Sequence, residues 1–376
     1  MNVRQTVEGV RNSSAQGPRL GRALAPILAV GLAAAAVASP VEARQQRPVK
    51  VMTRNLYLGA NLDPALRARS VPELLTAVAH VFSVVRQTDF PQRARALARE
   101  IVDADPVLLG IQEAATWYSG PQFDPSPATT VEFDFIALLQ RELAAIGAPY
   151  DVVMVQPEAD LEAPAGAPYA KDIRVVQHDA ILVKANAGNE VVLSAPRSAN
   201  FTSKLTIVNG LGQPTVVQRG WVAVDAVVNK RSFRFVNTHL EAFSAGLRLE
   251  QVRELIAPDG PIGSATRPVI LVGDLNSSPE LPVPENRLAF QALLDFGLID
   301  TWAVTHPGEA GFTAGFNELL NDPSAAATLE HRVDHVMVTP GVGIVKSRIY
   351  GTDPDNRTVD GMWPSDHAGV AATLLP

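Results

Sequence analysis

Short apolar runs that stop abruptly at polar side chains recur from residue 49 onward, and their spacing predicts most of the secondary structure. "VKVMTRNL" from Val49, "PVLLGIQE" from Pro106 and "YDVVMVQ" from Tyr150 read as strands, each too short for a helix. Residues 71–86, 91–103 and 131–146 carry helical periodicity, the last with apolar positions at 133, 135, 138, 139 and 143. From about 174 to 240 the pattern becomes strand after strand: "IRVVQHDAILVK", "NEVVLS", "KLTIVN", "PTVVQRGWVAVDAVV" and "SFRFVNTHL". Turn residues lie between them, with "KRS" as a tight hairpin, so an antiparallel meander is expected. Helices at 244–257 and 285–296 bracket "RPVILVGD", and the chain closes on "RVDHVMV", "GIVKSRIY" and "HAGVAATLL". The Pro-rich stretches 121–127 and 157–168 and the polar stretch 352–364 predict surface loops. Strand-rich halves with helices on the connections imply an α/β fold of two sheets packed face to face, helices outside. No repeat at a solenoid period and no glycine-rich phosphate loop is visible.

The beginning of the chain breaks this pattern. Arg4, Arg11, Arg19 and Arg22 precede the apolar run "ALAPILAVGLAAAAVAS", which is short and alanine-rich for a membrane span, and "VEA" follows with small residues. Residues 1–43 are expected to be an export signal, with a retained anchor as the alternative. A short linker, 44–47, and one domain, 48–376, would follow. The mature protein is expected to be a soluble monomer, periplasmic or secreted. Zero cysteines exclude disulfides. Without residues 1–43 the chain has 28 basic and 37 acidic residues, which argues against an indiscriminate polyanion binder. A local basic groove is still open to Lys171, Arg174, Arg197, Lys204 and Arg219.

Polar residues gather where the strands end: Asn55 in "TRNLY", Gln112 and Glu113 in "GIQEA", Arg219 in "QRGW" and His239 in "NTHLE". Asp274 and Asn276 in "GDLNSSP", Asp334 in "RVDHV", and Asp366 with His367 in "WPSDH" complete the set. One acid at a strand end is ordinarily a turn former, but a recurring set suits phosphoester hydrolysis. A hard divalent cation asks for oxygens such as those of Glu113, Asp366 and Asn55. Arg219, His239 and Asn276 could meet the charge on phosphoryl oxygens. Asp274 could hold the attacking water, and His367, oriented by Asp334, could share the proton transfer. The barrier to be removed is on the order of 20 kcal/mol, too much for one device.

In order and in flanking residues, "GIQEA", "NTHLE", "GDLNSSP" and "WPSDH" resemble the endonuclease/exonuclease/phosphatase superfamily, the DNase I-like group, as an exported bacterial member. The likeness covers roughly residues 48–376. It implies a four-layer α/β sandwich and a Mg²⁺-type ion, with Mn²⁺ or Ca²⁺ as variants, on Glu113 with Asn55 and Asp366 nearby. It further implies that His239 and Asn276 bind the scissile phosphate, that Asp274 activates the nucleophile, that Asp334 orients His367, and that water attacks directly. Tyr57 stands where the AP-endonuclease branch carries an acid, and "NTHL" is closer to the DNase I and sphingomyelinase pattern, so abasic-site repair is not expected.

Other residues have plainer explanations. His335 should face away from Asp334's site, and His178, His306 and His331 lie outside the matching blocks. Asp179 is a candidate supporting residue. Trp117, Tyr118, Met362 and Trp363 read as loop anchors, or as a patch that touches lipid or stacks on bases. Three functions follow: a metal-dependent phosphodiesterase acting on nucleic acid, a sphingomyelinase-like, phospholipase C-type or phosphomonoester hydrolase, or a non-catalytic binding protein.

Overall fold

Alternate residues along five strands face one interior, and that alternation builds the centre of the molecule. Val49 and Val51, Leu108, Phe233 and Phe235, Ile270 and Val272, and Val336 and Val338 form one buried apolar layer, while Met52, Leu109, Val236, Leu271 and Met337 face outward into two others. The computed structural model describes residues 47–185, 187 and 191–376, which fall in the unit Gln46–Pro376. The expected export signal and the linker up to residue 46 lie outside them.

Eight strands form the first sheet: β1 (Val49–Asn55), β2 (Leu108–Gln112), β3 (Thr116–Pro121), β4 (Thr130–Asp134), β5 (Tyr150–Ala165), β6 (Lys171–Lys184), β15 (Gly343–Tyr350) and β16 (Gly369–Leu375). Their order is β15-β16-β1-β2-β6-β3-β4, with β5 along the other side of β6. The second sheet orders β13 (Ile299–Asp300), β14 (Asp334–Val338), β12 (Val269–Asp274), β11 (Arg231–His239), β10 (Gly220–Val228) and β7 (Val191–Asn200). A separate hairpin, β8 (Leu205–Val208) and β9 (Pro214–Val217), pairs only with itself.

Helices α2 (Val71–Gln87), α3 (Phe90–Ala104) and α4 (Phe135–Ala145) bury their apolar faces on the first sheet, and α5 (Ala245–Ile256) and α6 (Leu288–Asp295) on the second. The result is the expected four-layer α/β sandwich. Among the described residues no helix is long and apolar enough to cross a membrane. Where the sheets meet, Gly110 leaves room for Asn237, whose Nδ2 donates to Ile111 O and Ala180 O of the facing sheet at 3.0 and 3.1 Å. A Cβ on Gly110 would lie 2.6 Å from Asn237 Oδ1.

Several local expectations change. Residues 131–146 are not one helix: Thr130–Asp134 pair with β3, and Asp134 then caps α4 by accepting from Ala137 N at 3.0 Å. Residues 285–296 split into a 3₁₀ turn, Pro284–Arg287, and α6. The meander divides, because β6 joins the first sheet and β7, β10 and β11 the second. Its tight turn is Asn229–Lys230, one residue earlier than expected and both at positive φ, as a two-residue hairpin requires. The Pro-rich stretch 157–168 is largely strand: β5 pairs on one side only and bulges between Pro157 and Asp160, which accommodates prolines. Trp117 and Tyr118 lie on β3, not in a loop, and Trp117 is buried with Nε1 donating to Leu58 O at 2.8 Å. Met362 and Trp363 do anchor a loop, packed with Tyr57, Phe316 and Leu320.

Candidate active site

The inward rows turn polar at one end of the sandwich. Along β11 the row Phe233, Phe235, Asn237 ends at His239, along β12 Ile270 and Val272 lead to Asp274, and β14 begins at Asp334. These three are in register across adjacent strands, His239 opposite Asp274 and Asp274 opposite Asp334. On the facing sheet Asn55 pairs with Gln112 at the ends of β1 and β2, and Glu113 follows. A cavity of about 370 Å³ opens here, walled by Glu113, Arg219, His239, Asp274, Asn276, Asp366 and His367. Seven of the nine expected site residues therefore line one cavity, and the other two, Asn55 and Asp334, hydrogen-bond to its lining.

Backbone strain marks the same place. Tyr57, Glu113 and Asn276 all adopt left-handed φ, at 57°, 53° and 46°, a conformation that persists when neighbours over-determine it. Asn55 Oδ1 accepts from Tyr57 N at 2.9 Å, Glu113 Oε2 accepts from Leu58 N at 2.8 Å, and Asp274 Oδ1 accepts from Asn276 N at 2.9 Å.

Asp274 is the hub. Its Oδ2 accepts from Asn55 Nδ2 at 3.1 Å and lies 3.5 Å from His239 Nε2 and 3.7 Å from His367 Nδ1. Burial pushes its carboxyl up to about 7, against the lowering pull of His367 and with a further push from Asp334. His367 Nδ1 donates to Asp334 Oδ2 at 2.8 Å. Burial alone would depress that imidazole, yet Asp334, Asp274 and Asp366 together hold it well above its ordinary value. His239 is pushed the other way, by burial, Arg219 and His367 in that order. Because Arg219 Nη1 can only donate, His239 Nδ1 accepts from it at 3.0 Å, leaving the proton on Nε2, toward Asp274.

Among the described residues two clusters have the residue types of a metal centre, with ligand atoms all within 4.8 Å: Glu158, Asp179 and His239, and Asp274, Asp334 and His367. The first already has the Arg219 guanidinium against it, and the second contains an imidazole held cationic. Arg219 Nη1 lies 3.5 Å from Glu158 Oε2, 3.2 Å from Gln177 Oε1 and 3.0 Å from His239 Nδ1, and His367 serves the second cluster. The better fit for a divalent ion is the pair Glu113 and Asp366. Both offer hard oxygens to the cavity, and burial followed by the charge of Glu113 raises Asp366 to about 6, with His367 opposing; an added cation would relieve this. Asn55, expected beside that ion, has its oxygen on the Tyr57 amide and its amino group on Asp274, so it positions rather than lines the cavity.

Sequence reasoning missed several supports. Arg93 is fully buried and donates to Thr88 O, Leu56 O, Tyr57 O and Pro364 O, tying both loops of the site together. It lies on the buried face of α3 with Phe90, Leu97 and Ile101, and an arginine within an apolar stripe was the available signal. Glu158, raised to about 7 by burial despite Arg219, came from the stretch read as a loop. Asp179, the supporting residue that the sequence did suggest, is fully buried beside Glu158 and His239 with neither oxygen hydrogen-bonded. Of the basic residues considered for a groove, Arg174 is bound to Asp160 and Lys171 lies 3.6 Å from Glu132. His335 packs away from the site, 3.0 Å from Ser277 O, His178 contacts Ala114 O and His306 stacks on Trp302.

Comparison with known proteins agrees with this architecture. The sequence model described as "Endonuclease/Exonuclease/phosphatase family" matches residues 85–367. An endonuclease/exonuclease/phosphatase family protein from Bacteroides thetaiotaomicron is 18% identical, with 88% of this chain and 98% of that one covered and a TM-score of 0.54. The mannosyl-6-phosphatase Bt3783 of the same organism is 18% identical over 87% of this chain and 100% of its own, with a TM-score of 0.51. D. rerio TDP2 complexed with a single-strand DNA product is 14% identical over 87% and 98%, with a TM-score of 0.50. No curated protein sequence matches.

Proposed function

Because the chain belongs to the endonuclease/exonuclease/phosphatase family, whose members hydrolyse phosphoesters, we propose that it is a divalent-metal-dependent phosphodiesterase that works by direct attack of water. The observation that carries this reading is the in-register row His239, Asp274 and Asp334, with His367 held on Asp334, facing Glu113 and Asp366 across one cavity.

Water attacks phosphorus, one phosphorus–oxygen ester bond breaks, and the products are an alcohol and a phosphomonoester. Asp274, near 7, takes the proton of the water. His239 Nε2 and the Asn276 amide, whose Nδ2 also donates to Leu240 O at 3.0 Å, would meet the phosphoryl oxygens, and Arg219 adds positive charge behind them. The His367 imidazolium, fixed by Asp334, donates toward the developing charge. Glu113 and Asp366 would hold a divalent cation, which would supply Lewis-acid polarisation; Mg²⁺ or Mn²⁺ suits these oxygens.

Nucleic acid remains a substrate class under this reading, supported by the DNA product on the D. rerio TDP2 neighbour. Export, supported by the Arg-rich then apolar pattern of residues 1–43, belongs to the same proposal. The test is hydrolysis of bis(p-nitrophenyl) phosphate with Mg²⁺ or Mn²⁺. Turnover that EDTA and His367→Ala both abolish is expected, and turnover that survives both would overturn the assignment.

A further inference from the structure

Beside the catalytic cavity lies a second one of about 330 Å³, roofed by the β8–β9 hairpin. Leu62, Leu66 and Leu161 line both, so the two spaces share a wall of three leucines. Deeper in, Leu74, Val78 and Val175 continue the apolar lining. Most of the polar side chains that border it, Thr215 apart, are committed elsewhere. Asp160 accepts twice from Arg174 at 2.7 and 2.6 Å, Glu162 accepts from Ala128 N at 3.0 Å, and Asn209 and Gln213 bond to each other at 3.2 Å. Asp160, Glu162 and Asn209 are thus occupied, and the neighbouring cations Arg174 and Lys171 are paired with acids.

The roof is lightly attached. The hairpin makes ladder bonds only within itself, and its tip docks through Gly210 N onto Ala68 O at 3.0 Å. A Cβ at Gly210 would lie 2.6 Å from Arg69 Cα, so glycine is needed for that close approach. Val208 and Val216 on the hairpin are 63% and 40% exposed, and Phe243, in the wall of the catalytic cavity, is 52% exposed. Apolar side chains are therefore exposed on the hairpin and beside the catalytic cavity.

We propose that the cavity beneath the β8–β9 hairpin binds the alkyl or acyl chain of an amphipathic phosphoester whose phosphate lies against Glu113, Asp366 and His367. The proposal rests on the hydrolase reading above and names its substrate class. Because Leu62, Leu66 and Leu161 border both cavities, a chain in one and the reacting phosphate in the other can belong to one molecule. A nucleic acid lying along the same path would need free cations at successive phosphates, and the path offers apolar contact instead.

Calorimetry with dodecylphosphocholine and methylphosphocholine, both below the micellar range, tests the cavity without requiring turnover. Affinity for the dodecyl compound should exceed that for the methyl one about tenfold or more, since each buried methylene contributes. Ala163→Phe, which fills the cavity from β5, and Val216→Glu, on the exposed hairpin, should each remove that preference. Equal affinities, or variants that keep the preference, would overturn the inference.

Kinetics with p-nitrophenyl methyl and p-nitrophenyl dodecyl phosphate then separate it from the hydrolase reading. Chain-length preference in binding with no hydrolysis of either ester sinks the hydrolase reading alone. Hydrolysis of both esters at equal kcat/KM, or nicking of supercoiled plasmid by a protein without chain preference, sinks the lipid-chain inference alone. Comparing dodecyl ester free in solution with the same ester in phosphatidylcholine vesicles tells whether the chain is taken from solution or from a membrane.

Discussion

His367 Nδ1 and Asp334 Oδ2 are 2.8 Å apart, and this contact fastens a loop residue to the strand end that adjoins Asp274. Asp334→Asn keeps the shape and deletes the charge that does most to hold the His367 proton. Turnover should fall about 10²- to 10⁴-fold, the usual span of a general acid–base contribution. The imidazole should titrate at lower pH in the variant, as NMR would read. His367 is raised above 6.5 in the folded protein, so its contribution to stability is fully present below 6.5 and is lost as pH rises through the folded value. Asp334→Asn should weaken that dependence; unaltered turnover and an unaltered imidazole titration would refute the pairing.

The Glu113 and Asp366 pair predicts how metal binding responds to pH. Asp366 is raised from 3.8 to about 6, first by burial and then by Glu113, partly offset by His367, so the metal-free fold loses stability as pH rises from 3.8 through 6. A divalent ion must displace the Asp366 proton below about 6, hence affinity should drop as pH falls below that value. Melting temperatures with and without Mg²⁺ should differ more at pH 8 than at pH 5, and Glu113→Gln should erase the difference at both. A Mg²⁺ shift that is independent of pH would remove Asp366 from the ligand set.

Asn55 offers a way to tell positioning from ligation. Its amino group donates to Asp274 Oδ2 and its oxygen accepts from Tyr57 N, all in a buried setting. Asn55→Ala should cost about 1–3 kcal/mol of stability by leaving those groups unpaired, and should lower kcat. The Mg²⁺ concentration for half-maximal activity should stay where it is. A large increase in that concentration would place Asn55 on the ion after all.

What the sequence made legible follows from period two. Asn55, His239 and Asp274 each end an inward row that begins apolar, so their convergence could be read from strand ends alone, and the four layers from helices on the connections. Sheet membership could not. β6 and β7 both read as strands, and only pairing across distant positions, Ile181 with Gly110 but Val192 with Val227, decides which sheet each joins. Charged residues inside an apolar helix face were hidden for another reason. Arg93 and Glu100 interrupt the apolar stripe of α3, and their partners are settled only when the loop and strand that cover them are in place. Glu158 was obscured by the prolines around it, which an edge strand tolerates.

The covering strand supplies the last prediction. Arg54, on β1, and Glu100, on α3, have fully buried side chains joined at 3.0 and 3.1 Å, and Arg54 Nη1 also donates to the His367 carbonyl. Burial already raises the Glu100 carboxyl against the pull of Arg54. Arg54→Met strands that acid in an apolar layer and should cost about 3–5 kcal/mol. Adding Glu100→Leu removes the uncompensated group, so the double variant should regain most of the stability. Turnover should not return with it, because the tether on the His367 carbonyl is still missing. Recovery of both stability and activity would mean that the ion pair only fills space; recovery of stability alone would show that Arg54 links the helix layer to the site.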